Sequence, residues 1–258
     1  MFIDTHAHLD SPRLDHKSIV KNMRADGLEK IICVGSTLES SVRSAELAAE
    51  FKDVYATVGI HPHYTDKVTD ACIEKIAALA DNKKVVAIGE IGLDYFHNFS
   101  AKDAQKKWLE AQIDVACQTR LPIVFHLRDA YGDMQEIVLR HIKGLSAPAV
   151  MHCFSGSAET AKFYTDLGFY ISFSGAVTFK KTKAAEVIKA IPRDRVLIET
   201  DCPYLAPEPF RGKDNQPKYV RFAAMKIAEV WGESVEEAAR QTTENAYRLF
   251  EKMNKDKQ

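Results

Sequence analysis

The sequence has little that would place it in several common classes of protein. Its five cysteines are widely spaced and form no CxxC pair, which argues against a disulfide framework and favours reduced thiols. No apolar stretch approaches the roughly 18 to 20 residues that a membrane-spanning helix needs. A basic segment followed by an apolar one is also missing from the first residues, which argues against a signal peptide. We therefore expect a protein of the cytoplasm without a membrane partner.

The chain also lacks an excess of positive or of negative charge. The formal net charge is −1, so the chain has no global basic field of the kind that attracts nucleic acids, and any site for a polyanion must be local. Hydrophobic residues make up 46% and charged residues 28% of the 258 positions, an ordinary globular composition that can bury a sizeable core. Without a linker, a low-complexity segment or a shift in composition, the sequence predicts a single domain over residues 1–258.

Short apolar runs rich in β-branched residues alternate along the chain with longer segments of helical period. Eight strands are predicted, at residues 1–5, 30–34, 54–59, 85–89, 122–125, 149–151, 169–173 and 195–199. Helices are predicted at residues 17–24, 39–51, 70–81, 101–119, 131–143, 157–167, 182–190, 218–231 and 234–252. Ser36 and Glu39 have the spacing of a capping box at the start of the second helix. Eight βα units are compatible with a closed (β/α)8 barrel or with an open doubly wound sheet.

Imidazoles and carboxylates directly follow most of the predicted strands. Six of the nine histidines fall in these short segments, more than an even spread along the chain would place there. Side chains two positions apart on a strand point to the same side, so the first two histidines can face one point. Taken singly, each polar residue is more often a hydrogen-bonded histidine or a loop carboxylate than a metal ligand. Together, the candidates form one ligand set: His6, His8, Glu90, His126, His152 and Asp201.

The size of this ligand set has a consequence for the fold. Four imidazoles and two carboxylates suit borderline divalent ions, but one catalytic zinc usually takes only three protein ligands. Two ions about 3.5 to 4 Å apart that share a bridging carboxylate would use all six. The six residues come from five strands, which in an open sheet would span about 19 Å at roughly 4.8 Å per gap. In a closed barrel, the carboxyl ends of all strands surround one mouth. The sequence therefore predicts an α/β fold, a closed (β/α)8 TIM-type barrel with two divalent metal ions, zinc, manganese or magnesium.

The segments that carry these residues resemble motifs of the TatD family of metal-dependent nucleases, within the amidohydrolase-like barrel hydrolases. They run in order along the chain: IDTHAHLD (3–10), GIHPH (59–63), AIGEIGLDY (87–95), HLRDA (126–130), MHCFSG (151–156) and IETDCPYLAP (198–207). The resemblance implies a deoxyribonuclease that cleaves phosphodiester bonds, a 3′→5′ exonuclease on single-stranded or frayed DNA. It also implies a division of the ligand set, with one metal held by His6, His8 and Asp201, the other by His126 and His152, and Glu90 as the bridge.

Further roles are predicted for residues around the same mouth. Asp201 is the predicted general base, which takes a proton from the attacking water and passes it towards the leaving oxygen. Substrate contacts are predicted on the loops, at His61, His63, Tyr95, Arg128, Arg211 and Lys213. Four carboxylates are candidates for orienting the ligating imidazoles, namely Asp10, Asp94, Asp129 and Glu199. For Arg128, a structural ion pair to Asp94 or Asp129 is an equal alternative.

Three functions remain open at this point. Cys202 after the ETD motif and the late loop RGKDNQP (211–217) depart from commoner family forms, and the loop leaves specificity open. The activated hydroxide of such a site could equally attack an amide or an ester, as in a D-aminoacyl-tRNA deacylase. A non-catalytic metal-binding scaffold is the third alternative, which the complete ligand set disfavours. The expected partner is a nucleic acid substrate, with single-stranded DNA ends preferred and no obligate protein partner.

Overall fold

Alternating strands and helices form a barrel in the computed structural model, which describes the backbone of residues 1–257 and the side chains of residues 1–254. Eight parallel strands are hydrogen-bonded in the order of the sequence. The first and last strands meet through a bridge between Ala7 and Cys202 and a hydrogen bond from the Asp201 N–H to the carbonyl of His6. This arrangement confirms the predicted (β/α)8 barrel.

The strands are β1 (Phe2–Ala7), β2 (Leu28–Val34), β3 (Val54–Val58), β4 (Val85–Asp94), β5 (Ile123–Arg128), β6 (Ala149–Met151), β7 (Tyr170–Phe173) and β8 (Val196–Ile198). The helices among the described residues are α1 (His16–Asn22), α2 (Leu38–Glu50), α3 (Asp70–Ala80), α4 (Lys102–Thr119), α5 (Tyr131–His141), α6 (Ala158–Asp166), α7 (Ala184–Ala190), α8 (Val220–Trp231) and α9 (Val235–Leu249). None of the helices in this part of the chain is long and apolar enough to cross a membrane.

Three predicted strands end too early, because strand pairing continues beyond the apolar run. Strand β4 extends to Asp94, and its last residues pair with β5 through Gly92 opposite His126. Strand β1 likewise continues to Ala7, and β5 continues to Arg128. A polar side chain at a strand end still contributes its backbone N–H and C=O to the ladder. Several predicted site residues are therefore strand residues with fixed directions.

The predicted capping box at the start of α2 was also wrong by one residue. The helix begins at Leu38, and the reciprocal pair is formed by Thr37 and Ser40. The hydroxyl of Thr37 accepts from the N–H of Ser40, and the Ser40 hydroxyl accepts from the N–H of Thr37. Serine replaces the usual Glu or Gln in this box, so its sequence signal is weak.

The strands present two apolar faces, as their alternating side chains require. In β5, Ile123 and Phe125 belong to the large apolar cluster that includes the helices. Val124, which lies between them, belongs to a second cluster inside the barrel. Phe250 and Met253, beyond the end of α9, join this second cluster and are fully buried. The last part of the described chain thus closes the barrel at the end opposite its mouth.

The predicted helix at 234–252 ends earlier, at Leu249. Phe250 leaves the helical conformation with φ −101° and ψ 67°, which lets its ring enter the barrel, and a 3-10 segment follows at Glu251–Lys257. Apolar burial thus overrides the helical period of this segment.

We expect Phe250→Ala to destabilise the protein by about 3 to 5 kcal/mol, because truncation of a fully buried phenylalanine loses apolar contacts and leaves a cavity. The free energy of unfolding from urea titration, followed by circular dichroism, measures this loss. Leu139→Ala is the control, since Leu139 is 50% exposed on α5, and it should change stability by less than about 0.5 kcal/mol. Equal effects of the two substitutions would contradict closure of the barrel by this segment.

Candidate metal centre

All six predicted ligands lie together at the carboxyl ends of the strands. They face or underlie a cavity of about 650 Å³ at the mouth of the barrel. His6 is the deepest of them and is fully buried in β1. His8 follows two positions later on the same side, and its Nδ1 hydrogen-bonds with the carbonyl of Val34 at 3.2 Å. Strand geometry therefore places this pair as the sequence predicts.

Glu90 lies at the centre of the group. Its Oε1 atom is 2.8 Å from the Nδ1 of His126 and 2.8 Å from the Nε2 of His152. Its Oε2 atom is 3.3 Å from the Nε2 of His6, and the Nε2 of His61 is 3.4 Å from Oε1. Burial acts to raise the pKa of Glu90, but the charges of the surrounding imidazoles outweigh it and hold the pKa well below its usual range. The carboxylate is therefore ionised.

Close backbone packing places Glu90 in this position. A Cβ atom at Gly92 would lie 1.9 Å from the carbonyl oxygen of His126, so only glycine allows β4 and β5 to approach this closely here. The ladder between the two strands shifts register between Gly89 and Ile91, as in a β-bulge, which re-aims the side chain it carries. The glycines of the GEIG segment thus have a structural role.

Asp201 approaches the group from the side of β8. Its Oδ1 atom is 3.4 Å from the Nε2 of His8 and 3.7 Å from the Nε2 of His6. Burial acts to raise the pKa of Asp201, but the hydrogen bond from His8 and the nearby imidazole charges outweigh it and keep the pKa below its ordinary value. Its backbone has a φ of 59°, a left-handed conformation that few residues other than glycine adopt. Asp201 is thus an ionised carboxylate facing the cavity.

The donor atoms suit a divalent cation. Among the residues that the structure describes, neither ring nitrogen of His6 has a hydrogen-bond partner, although a buried polar atom without a partner is costly. Sets of three donors lie within 4.8 Å of one another at His6, His8 and Glu90, at His6, His152 and Asp201, and at His61, Glu90 and His126. Imidazole nitrogens with carboxylate oxygens are the ligands that zinc, manganese and related ions prefer. The clustered donors therefore suit a divalent cation of this kind.

Two of the four candidate supporting carboxylates contact ligand imidazoles. The Oδ2 atom of Asp94 is 3.1 Å from the Nε2 of His126. When that nitrogen carries the proton, the Nδ1 atom of His126 presents its lone pair towards Glu90. The Oε1 atom of Glu199 is 3.2 Å from the Nδ1 of His152, outside hydrogen-bonding geometry.

The other two candidates form no hydrogen bond or ion pair with an imidazole of the described residues, although Asp10 is close enough to His8 for their charges to interact. Asp10 lines the cavity, and burial raises its pKa. Asp129 is exposed on the loop after β5.

The structure separates the predicted substrate contacts into two groups. His61, His63 and Arg128 line the cavity. Burial lowers the pKa of His61 to about 4, so this imidazole is neutral at pH 7. The guanidinium of Arg128 lies 4.8 Å from the ring centre of Phe96. Within the described residues it forms no ion pair with Asp94 or Asp129.

Tyr95, Arg211 and Lys213 are absent from the described lining of this cavity. Tyr95 directly follows Asp94, which points inward, and successive strand residues point to opposite sides. The Tyr95 hydroxyl instead donates to Asp133 at 2.6 Å. The guanidinium of Arg211 lies 4.0 Å from the ring centre of Phe179, beside a second cavity.

Sequence reasoning missed three residues at the mouth. The Nδ1 atom of His97 is 2.9 Å from the Oδ2 of Asp94, which also contacts His63 at 2.8 Å. Tyr64 and Tyr204 line the cavity and are 48% and 53% exposed. The available signal was the position of each residue a few places after a strand, the same signal that identified the ligands.

Comparisons with known proteins agree with this geometry. The model of a family described as TatD related DNase matches residues 3–251. The chain is 44% identical over 253 residues to the uncharacterized metal-dependent hydrolase YabD of Bacillus subtilis (strain 168), covering 97% of this chain and 99% of that protein. It is 32% identical over 242 residues to the 3′-5′ ssDNA/RNA exonuclease TatD of Klebsiella pneumoniae (strain 342), covering 92% of each.

A solved structure has the same architecture. The crystal structure of YJJV, a TatD homologue from Escherichia coli K12, superimposes with a TM-score of 0.92 at 31% sequence identity. The superposition covers 97% of this chain and 98% of that one.

Proposed function

The chain belongs to the TatD family of metal-dependent hydrolases, and we propose that it is an exonuclease that removes nucleotides from the 3′ ends of single-stranded nucleic acids. The observation that carries the proposal is the ionised Glu90, whose Oε1 atom lies 2.8 Å from both His126 and His152 beneath an open cavity. The direction of cleavage follows relatives named as 3′-5′ ssDNA/RNA exonucleases.

The six ligand residues would hold two divalent ions. The Oε2 atom of Glu90 lies near His6, its Oε1 atom lies near His126 and His152, and Asp201 lies beside His6 and His8. When bound, such an ion pair lowers the pKa of a water molecule and neutralises charge that develops on a phosphoryl oxygen.

Asp201 is the proposed general base. It is ionised because its pKa is held below the ordinary value. It faces the cavity, and 14% of its side chain is exposed. In this role its carboxylate takes the proton of the attacking water and transfers it to the leaving oxygen. The water oxygen then forms the new bond to phosphorus as the bond to the leaving oxygen breaks.

Aromatic side chains around the mouth support a single-stranded substrate. The exposed aromatic residues of the described chain, Tyr64, Phe96, Phe99 and Tyr204, all lie on loops that follow strands. Unpaired bases stack on such rings whatever their sequence, at about 1 to 3 kcal/mol per base. Bases within a duplex have no free face to offer, so this rim favours single strands and frayed ends.

A substrate panel tests the proposal directly. The purified protein is loaded with Zn²⁺, Mn²⁺ or Mg²⁺ and given 5′-labelled single-stranded DNA, the matched blunt duplex, single-stranded RNA, D-aminoacyl-tRNA and a simple ester. We expect products of the single strand to shorten stepwise from the 3′ end, with the duplex cut more slowly and EDTA abolishing turnover.

The other outcomes identify the two alternative functions. Hydrolysis of D-aminoacyl-tRNA or the ester without phosphodiester cleavage would overturn the proposal in favour of a deacylase or esterase. Bound metal without turnover of any substrate would favour a non-catalytic scaffold.

A further inference from the structure

A second cavity, of about 880 Å³, adjoins the one above the candidate metal centre. Both cavities are lined by Arg128, Cys153, Ser155 and Leu205, so they share a wall and form a continuous depression. The second cavity extends over the carboxyl ends of β6, β7 and β8. Its outer wall is the segment between β7 and α7, which contains a short 3-10 helix at Gly175–Thr178.

The second cavity is strongly basic, in contrast to the chain as a whole. Its lining includes five cationic side chains, Arg128, Lys180, Lys181, Lys183 and Arg211, and a single carboxylate, Glu208. We refer to these five cations as the basic groove. All five are exposed, and within the described part of the chain no carboxylate lies within ion-pair distance of them. A local cluster of this kind is the electrostatic footprint of a polyanion site.

Aromatic and apolar side chains form the remainder of this cavity. Phe154 and Phe179 line it together with Val177 and Val187. The guanidinium of Arg211 rests on the ring of Phe179 at 4.0 Å, which orients its planar donor group. Cations that follow a backbone, interleaved with aromatic rings that accept bases, are the usual composition of a single-strand binding channel.

We propose that the basic groove binds the phosphates of the substrate strand upstream of the nucleotide being removed. This inference rests on the proposed exonuclease function. If the 3′ end of a single-stranded nucleic acid lies over Glu90, the rest of that substrate must leave the first cavity along one of its walls. The shared wall at Cys153 and Ser155 leads directly into the basic groove. The groove therefore selects polynucleotides over single phosphodiesters and over neutral esters.

The test replaces the three lysines together, as Lys180→Gln/Lys181→Gln/Lys183→Gln. These lysines are exposed and are absent from the described lining of the first cavity. We expect kcat/KM for single-stranded dodecanucleotides to fall at least about tenfold at low salt, and the slope of log Kd against log salt to flatten by about 2 units, at roughly 0.7 per lost phosphate contact. Hydrolysis of bis(p-nitrophenyl) phosphate, which is too small to reach from the first cavity to the three lysines, should be unchanged.

A matched control makes the same change of charge elsewhere. Lys52 and Lys143 lie on loops that precede strands, and Lys189 is in the last turn of α7, so these exposed lysines are at the opposite end of the barrel. Lys52→Gln/Lys143→Gln/Lys189→Gln should keep the wild-type salt slope, whereas an equal effect of both triple variants would overturn the groove in favour of non-specific charge attraction.

Direct binding separates this inference from the proposed function. Anisotropy of a fluorescein-labelled dodecanucleotide is measured in an Asp201→Asn background, with and without the three lysine substitutions. An unchanged Kd and salt slope would overturn the groove even if the wild-type protein cleaves DNA. A lysine-dependent Kd would support the groove even if bis(p-nitrophenyl) phosphate and DNA both resist hydrolysis, a result that would overturn the proposed function alone.

Discussion

The Asp201→Asn protein is expected to fold and bind metal but to lose about a thousandfold in kcat on single-stranded DNA, within the range that removal of a general base produces. Asparagine keeps the shape of the side chain and one ligand oxygen, and it tolerates the left-handed backbone at this position. It has no anionic oxygen to receive the proton of the attacking water. The kcat at saturating 5′-labelled oligonucleotide, together with metal content by mass spectrometry, measures the effect.

Asp129→Asn is the matched control for this substitution. Asp129 also has a left-handed backbone, with a φ of 53°, and it lies at the rim of the same barrel, but its side chain is exposed and forms no ion pair with an imidazole of the described residues. Its kcat should stay within about twofold of wild type, as for other surface changes without a structural role. If Asp201→Asn turns over at a similar rate to this control, another group accepts the proton.

Glu90→Gln is expected to reduce bound metal from about two ions per chain to below one, because both proposed ions share this carboxylate. The amide is neutral, so it cannot offset the charge of two dications. The carboxylate that it replaces lies 2.8 Å from each of two imidazoles. Hydrolysis of single-stranded DNA should fall to the level seen with EDTA. Metal content after dialysis and single-turnover cleavage measure the two effects.

The double variant His6→Ala/His8→Ala provides the comparison for Glu90→Gln. It removes ligands of one proposed ion only, so about one ion per chain should remain, held by His126, His152 and Glu90. Thermal unfolding of all proteins in EDTA controls for damage to the fold, since the metal-free proteins should differ much less than the metal-loaded ones. Two ions retained in Glu90→Gln would contradict its bridging position.

The clustering of the six predicted ligands could be predicted from the sequence because each member directly follows an apolar run, and a closed barrel brings such positions together whatever the details of the strands. The direction of a side chain just beyond the end of a strand could not be predicted in the same way. The sequence predicts a substrate contact at Tyr95, but β4 continues to Asp94, so the alternation of strand residues points the tyrosine to the side opposite Asp94, where its hydroxyl donates to Asp133. That extension depends on pairing with β5, which a single segment does not encode.

The contacts between loops were also beyond prediction from local sequence. Asp94 contacts His63, His97 and His126, which come from three different βα loops or strands, and their meeting depends on the whole barrel. The basic groove has the same origin. Lys180, Lys181 and Lys183 are a short cationic run in the sequence, and they gain meaning only because Arg128 and Arg211 arrive beside them from other loops.

The seam between β1 and β8 links the site to the closure of the barrel. The bridge from Ala7 to Cys202, the hydrogen bond from the Asp201 N–H to the His6 carbonyl and the one from the Thr5 hydroxyl to the Ile198 carbonyl are among the contacts that join these strands. His6 and Asp201 are also proposed ligands of one ion, so that ion would tie the first strand to the last. By thermodynamic linkage, the free energy by which the closed seam strengthens metal binding equals the free energy by which bound metal stabilises the closed seam. Closure of the barrel and binding of the cation are then thermodynamically coupled.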